Sequence, residues 1–273
     1  MPKYARAHDL ESWQHDSRIA AHGFAHRWES SVAPGNGEDA FIDLVDRYLR
    51  ADMDVLDLGC GHGEFTLLLA PRCRTIVGVE RDPGYLELAR TLAVEQNAAN
   101  VRFHQVNLAG VDDEDRTFAG LPLPDSSIDL FINRRGPLLQ RYLGEALRVA
   151  RSGARILGLH PTGNVPSPPW RDRLPEPYRD IFFAHSFDHI TRWVTAPLEA
   201  AGISDYSLWW IDVPEYLRTP HELYARLPGI AIGDLLPYAA MEPVLADIFA
   251  DFGTAQGVVL RHQRLLWLAH LPA

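Results

Sequence analysis

Hydrophobic positions in this chain follow two rhythms: short continuous runs of the buried-strand type, and wider spacings that repeat near 3.6 residues. Residues 11–31 place Trp13, Ala20, Ala21, Phe24 and Trp28 on roughly one helical face, and a helix from Glu38 to Arg50 would turn Phe41, Leu44, Val45 and Tyr48 inward. Val55–Leu58 reads as a buried strand, and a glycine-rich turn separates it from an apolar helix at Glu64–Leu69. Strands are then expected at Thr75–Glu80, Val101–Val106, Ile128–Asn133 and Ala154–His160, with helices at Asp82–Asn97 and Pro137–Ala150 between them. Asp82-Pro83 carries the signature of an N-cap followed by a first-turn proline. Alternation of this kind indicates βαβ units and a parallel sheet covered on both faces.

Past His160 the rhythm changes. Residues 161–187 are rich in proline and aromatics, too long and too apolar for a plain linker. A helix at Asp188–Ala201 and a strand at Tyr206–Val213 follow; residues 214–256 read as mostly helical, and Gly257–Leu271 as a last strand. The 273 residues suffice for one substantial α/β domain with additions. Two cysteines, Cys60 and Cys73, make no disulfide framework and fit a reducing compartment. The first residues lack the apolar stretch of a secretory signal, no run approaches a bilayer span, and the expectation is a cytoplasmic protein with no membrane role. The formal net charge is −10, and no basic run exceeds the pair Arg134-Arg135, which disfavours nucleic acid as a partner.

The decisive segment is Val55-Leu56-Asp57-Leu58-Gly59-Cys60-Gly61-His62-Gly63, a glycine turn between strand and helix. Such a turn lets backbone approach a ligand closely and offers helix N–H groups. A dinucleotide fingerprint would need glycine where Glu64 stands, and Asp57 would repel a pyrophosphate. The segment resembles motif I of the class I S-adenosylmethionine-dependent methyltransferases, of the type 11/25 kind, and three further stretches resemble that family in order. Val77-Gly78-Val79-Glu80-Arg81-Asp82 resembles the second-strand motif whose acid holds the ribose, Leu121–Leu130 the approach to strand four, and Ala146–Ala154 the turn before strand five. The resemblance is close over residues 40–160. It implies a Rossmann-like seven-stranded, mostly parallel sheet with helices on both faces, an N-terminal lid over residues 1–37, and a methyltransferase domain over 38–273. The cofactor half would be 38–160, with acceptor-covering insertions at 161–187 and 214–256. S-adenosylmethionine is the implied cofactor. Its contacts carry over to Asp57, Gly59, Cys60, Gly61, Gly63, Glu80, Arg81, Asn107, Leu108 and Asn133. The family often has Asp where Asn107 stands; an asparagine still accepts a hydrogen bond.

Ligands of open α/β sheets lie beyond the carboxyl ends of the strands. His160 is the candidate base there, because imidazole titrates near neutrality. Arg134 and Arg135 are the candidate anchors: successive strand side chains point oppositely, so one would face the cleft and meet an anionic or electron-rich small-molecule acceptor, while the other pairs with an acid elsewhere. Cys60 and His62 read as turn residues and Asp129 as a structural acid. His22/His26 and His185/His189 have an i, i+4 spacing but no evident third ligand, so no metal is expected. An RNA or protein methyltransferase, or a non-catalytic binding module on the same fold, are the alternatives.

Overall fold

A computed structural model describes residues 35, 37–108, 120–162, 168–176, 178–181, 187–227 and 236–272, without the side chains of 161, 162, 180, 181 and 187–189. The amphipathic segment at 11–31, with His22 and His26, and His185 lie outside the described residues, as does the side chain of His189.

Helix α1 (Glu38–Tyr48) starts at Gly37, whose φ of 84° suits glycine, and buries Phe41, Leu44 and Val45. Strand β1 (Asp54–Leu58), helix α2 (Glu64–Leu69), β2 (Thr75–Glu80), α3 (Pro83–Glu95) and β3 (Val101–Gln105) follow. Asp82 caps α3, accepting from the N–H groups of Gly84 and Tyr85 at 2.7 and 3.1 Å. Then come β4 (Ile128–Arg134), α4 (Leu139–Val149), β5 (Ala150–Thr162), α5 (Phe187–Ala200), β6 (Tyr206–Leu217), α6 (Pro220–Arg226), α7 (Tyr238–Phe252) and β7 (Val258–His270). The seven strands are ordered β3-β2-β1-β4-β5-β7-β6, with β7 antiparallel to both neighbours and the pairs from β3 to β5 parallel.

Two apolar layers sandwich this sheet. Phe41, Leu44, Phe65 and Leu69 of α1 and α2 pack against Val55, Leu130, Leu157 and Leu266 on one face. Tyr142, Leu143, Val194 and Leu198 of α4 and α5 cover Leu56, Phe131, Ile156 and Trp267 on the other. The foot of the sheet is tied by ions: Asp129 accepts from the Asp54 N–H and from Arg151, while Asp54 accepts from Arg74 and Arg151. Asp129 therefore sits at the end opposite the ligand-binding rim, the structural place expected for it.

The last three strands outgrow the expectation. β5 pairs with β7 as far as Thr162↔Gln263, but β6 and β7 continue together to Leu217↔Val258. Residues 214–217, expected to begin a helical insertion, are therefore strand. This ribbon overhangs the carboxyl end of β5 and carries a third core of its own: Trp170, Leu174, Tyr178, Leu223, Met241, Leu245 and Ile248 close on Leu217, Val258 and Leu260. Trp170 is buried there and donates to the Val259 carbonyl at 3.3 Å. No helix among the described residues is long and apolar enough to cross a membrane.

Trp267 lies flat across Gly158: a methyl at Gly158 would fall 1.9 Å from the indole. Gly158→Ala is thus expected to destabilise by at least about 1–3 kcal/mol, the cost of overpacking. Gly144 in α4 meets nothing within 4 Å, so Gly144→Ala should instead stabilise by up to about 1 kcal/mol. Urea midpoints of the two variants against the parent check both signs.

Candidate active site

The three glycines of the turn after β1 all adopt positive φ: 75° at Gly59, 54° at Gly61 and 80° at Gly63. Two are also packed tight. A methyl on Gly63 would lie 2.8 Å from Ala89 Cβ and 2.9 Å from the Phe103 ring, and one on Gly59 would press on Pro137 and Gly136 at 3.2–3.3 Å. Around Gly61 there is open space. Backbone bonds from Gly59 and Cys60 to the Val79 carbonyl hang the turn on β2.

Glu80 completes the cradle from the end of β2. Its Oε2 accepts from the Gly61 N–H at 3.1 Å, and its Oε1 accepts from the N–H groups of Arg81 and Asp82 at 2.8 and 3.1 Å. A carboxylate has about four acceptor positions, so Oε2 keeps room for a hydroxyl. Asp57 does not face the opening. It is buried, and accepts from the Thr66 hydroxyl at 2.6 Å, which staples β1 to α2 across the turn. Burial raises its pKa to about 6, with the Thr66 hydrogen bond and the Arg134 charge acting against that rise. Cys60 is wedged near Gly78, and burial beside the Asp57 and Glu80 charges pushes its thiol far up, so it is no nucleophile. His62 meets Glu64 at 3.3 Å. Asn107 and Leu108 follow β3 on the same rim, Asn107 partly and Leu108 fully buried. Arg81 stays on the turn beyond β2, its carbonyl accepting from Gln105.

On the other side of the rim three expectations need correction. Asn133 is fully buried, and its amide donates to the Pro137 carbonyl at 3.0 Å and to the Tyr142 hydroxyl; its side chain holds the turn after β4 and does not face the cleft. Arg134 and Arg135 do not point apart. Both grip Glu38, a fully buried carboxylate on α1: Arg134 Nη1 at 2.9 Å, Arg135 Nε at 2.9 Å and Nη2 at 2.8 Å. The strand alternation fails because Arg135 takes a left-handed φ of 58° just past the end of β4. Arg134 also lies over the Phe65 ring at 4.5 Å, and Phe65 stacks on Phe41 of α1 at 5.8 Å. The pair is therefore an internal tie, not an acceptor anchor. His160 keeps its place near the end of β5, partly exposed and stacked on Trp267 at 6.1 Å; burial lowers its pKa to about 4.

Glu38 had no role in the sequence reading, yet a signal existed. It falls on the same helical face as Phe41 and Val45, and a charge in a buried stripe requires a partner. Glu215, Arg226 and His262 were missed in the same way. Glu215 accepts from Arg226 Nε at 3.0 Å and lies 2.8 Å from His262 Nε2, tying α6 to the ribbon. Burial works to raise the Glu215 pKa, but His262 and Arg226 outweigh it and hold the carboxyl below its ordinary value.

Residues 49–167 fit the model of a family described as "Methyltransferase domain". That match covers less than half of the chain. The chain is similar to the uncharacterized methyltransferase YcgJ of Bacillus subtilis, 30% identical over 121 residues, which cover 44% of this chain and 43% of that protein. A 23S rRNA (uracil(1939)-C(5))-methyltransferase of Stenotrophomonas maltophilia is 51% identical over 57 residues, 21% of this chain and 13% of its own length. The chain thus spans less than half the length of these curated relatives. In fold it is similar to a functionally unknown protein of Deinococcus radiodurans R1, at a TM-score of 0.57 and 23% identity over 95% of this chain and 98% of that one.

Two outcomes follow from this geometry. Glu38→Gln removes the fully buried charge that two partly buried arginines depend on, and should cost about 3–5 kcal/mol in chemical denaturation. For Asp57 the folded pKa lies above that of an ordinary aspartate, so the fold binds the proton more tightly than the unfolded chain does. Its contribution must therefore grow as pH falls from above about 6 towards 4. Relative to Asp57→Asn, the parent should gain on the order of 1–3 kcal/mol between pH 7.5 and pH 4.5; parallel stability curves for the two proteins would refute the assignment.

Proposed function

We propose that this chain binds S-adenosylmethionine across Gly59–Gly63 and Glu80 and transfers its methyl group to a small-molecule acceptor held under the overhanging β6–β7 ribbon. The observation that carries the reading is the opening at Gly61, the glycine without a packed neighbour, directly beside the Glu80 carboxylate. That cradle fits the cofactor: Oε2 of Glu80 is placed for a ribose hydroxyl, and the turn offers close backbone approach. Asn107 and Leu108 would border the adenine, and Arg81 the far side of the ribose. Asp57, Cys60, Gly59 and Gly63 act on the cofactor through the shape of the turn.

When bound, S-adenosylmethionine supplies a methyl group on a positively charged sulfur, open to in-line attack. The protein has to align the acceptor, exclude water and take up any proton the acceptor loses. His160 faces the acceptor side of the rim in this reading. With a pKa of about 4 its ring is neutral at physiological pH, and it accepts a hydrogen bond or serves as a weak base. The turn Asn133–Pro137 forms the floor between the cofactor and the acceptor.

A small acceptor is favoured over RNA by charge. The net charge is −10, and the one adjacent arginine pair is tied down on Glu38, so among the described residues the pair offers no basic stripe to follow a phosphate backbone. The rRNA methyltransferase similarity is confined to about a fifth of the chain.

Calorimetry with S-adenosylhomocysteine tests the cofactor assignment. Glu80→Gln should weaken binding by about 2–3 kcal/mol, the scale of a charge-assisted hydrogen bond, in a variant that circular dichroism shows to be folded. Unchanged affinity in the folded variant rejects Glu80 as a ribose ligand. Transfer of labelled methyl from S-adenosylmethionine to a small-molecule fraction, but not to RNA, is the expected outcome for the acceptor; label on RNA reverses the choice.

A further inference from the structure

Helix α4 buries Leu139, Tyr142, Leu143, Ala146 and Val149 in one stripe against the sheet. Tyr142 has no exposed surface, so its hydroxyl is a polar atom inside an apolar layer. Burial pushes the pKa of that hydroxyl up, with a hydrogen bond from Asn133 acting against the rise, and the group stays neutral. A buried hydroxyl persists where it is hydrogen-bonded, and this one meets the Asn133 amide. Asn133, next to the last residue of β4, is itself fully buried. Its amide nitrogen carries two hydrogens. One goes to the Pro137 carbonyl at 3.0 Å and the other to the Tyr142 hydroxyl. A bond to Pro137 alone fixes the amide at one point and lets it swing about the bond that carries it. The second bond, to a hydroxyl held by a close-packed ring, fixes the amide plane and with it the place of the Pro137 carbonyl.

The turn held in this way leans on the glycine cradle. A methyl on Gly136 would collide with the Leu58 carbonyl and with Asn133 Oδ1, so the Gly136 backbone rests on the end of β1. A methyl on Gly59 would meet Pro137 Cδ and Gly136 Cα at 3.2 and 3.3 Å. Gly136 and Pro137 thus back the first glycine of the cradle, and a retreat of the turn would leave Gly59 without that support. Glu38 fastens the turn through Arg134 and Arg135 on the α1 side, and Tyr142 fastens it through Asn133 on the α4 side. We propose that Tyr142 is a positioning residue for cofactor binding: through the Asn133 amide it holds residues 133–137 against Gly59 and so sets the wall of the cradle before any ligand arrives. The proposal rests on the cofactor site assigned above. Pre-set walls bind more tightly because less ordering remains to be done on binding.

Tyr142→Phe keeps the ring and removes only the hydroxyl. Hydrogen exchange read by mass spectrometry tests its reach without any ligand. The peptide spanning residues 59–63 should exchange about threefold faster in this variant, as local opening there becomes easier. Calorimetry with S-adenosylhomocysteine should show a dissociation constant raised by about three- to tenfold, the factor carried by roughly one hydrogen bond. Asp129→Asn, at the foot of the sheet, controls for lost stability alone and should keep the parent affinity. Asn133→Ala should weaken binding too, and adding Tyr142→Phe to it should bring no further loss, because the two residues act in series. Independent structural roles would instead give additive losses. Unchanged exchange or unchanged affinity in Tyr142→Phe, or an equal loss of affinity in Asp129→Asn, overturns the proposal. A parent that binds no S-adenosylhomocysteine overturns the cofactor reading and this proposal with it, whereas a parent that binds it leaves Tyr142 to be judged by its own variant. Should Asn133→Ala fail to fold, Tyr142→Phe measured against Asp129→Asn decides.

Discussion

A single buried carboxylate holds the two halves of this molecule in register. Glu38 has no exposed surface, and a carboxylate in that position persists only if opposite charge and hydrogen bonds replace the water it lost. Arg134 and Arg135 supply both. Because they follow directly on β4, their grip draws the end of that strand onto α1, and the left-handed residue at 135 turns the chain back over the glycine loop. Pro137 and Gly136 then lie against Gly59. Arg134 spreads over Phe65, which stacks on Phe41, so the helix after the glycine turn is fastened to the same α1 that carries Glu38. Gly37, one residue earlier, admits the Arg264 stem from β7. Core sheet, cofactor turn and overhanging ribbon thus meet at the start of one helix.

Charge is handled differently at the two ends of the sheet. At the foot, Asp54, Asp129, Arg74 and Arg151 form a partly exposed network that closes the first strands together. At the rim, the acids are buried or engaged by backbone. Asp57 is kept at an elevated pKa by burial, and the work of shaping the cradle falls to its hydrogen bond with Thr66. Glu80 spends most of its capacity on three backbone N–H groups and so makes the turn rigid before any ligand arrives. A preformed cradle reduces the ordering cost of binding. The second buried cluster, Glu215 with Arg226 and His262, does for the ribbon what Glu38 does for the core: it fixes how α6 sits on β6 and β7.

Much of this was legible in the chain. Each of the seven strands was anticipated, because a parallel sheet covered on both faces needs continuous apolar runs such as Val55–Leu58 and Thr75–Glu80, and these stand out against helical spacing. The glycine turn was legible for a related reason: positive φ at residues 59, 61 and 63 is a demand that one residue type meets cheaply. The cap of α3 by Asp82 and the structural place of Asp129 followed from neighbours in the chain. The ribbon beyond residue 213 was not legible. Pro214 and Glu215 look like the end of a strand when read locally, and only pairing with β7 across some 45 residues makes them part of one.

What the sequence by itself determined is therefore the order and type of the elements, the glycine cradle, and the acid at the end of β2, all set by interactions between residues close in the chain or by conformations that single residues permit. What the tertiary structure decided is the partner of each buried charge. Alternation along a strand predicted that Arg134 and Arg135 would part, and it holds only while the backbone stays extended; one left-handed residue at 135 cancels it. Their common partner lies 96 and 97 residues away on α1. No local pattern encodes that distance. It is settled by packing, because a buried ion costs too much to leave unpaired and takes the opposite charge that the fold brings within reach.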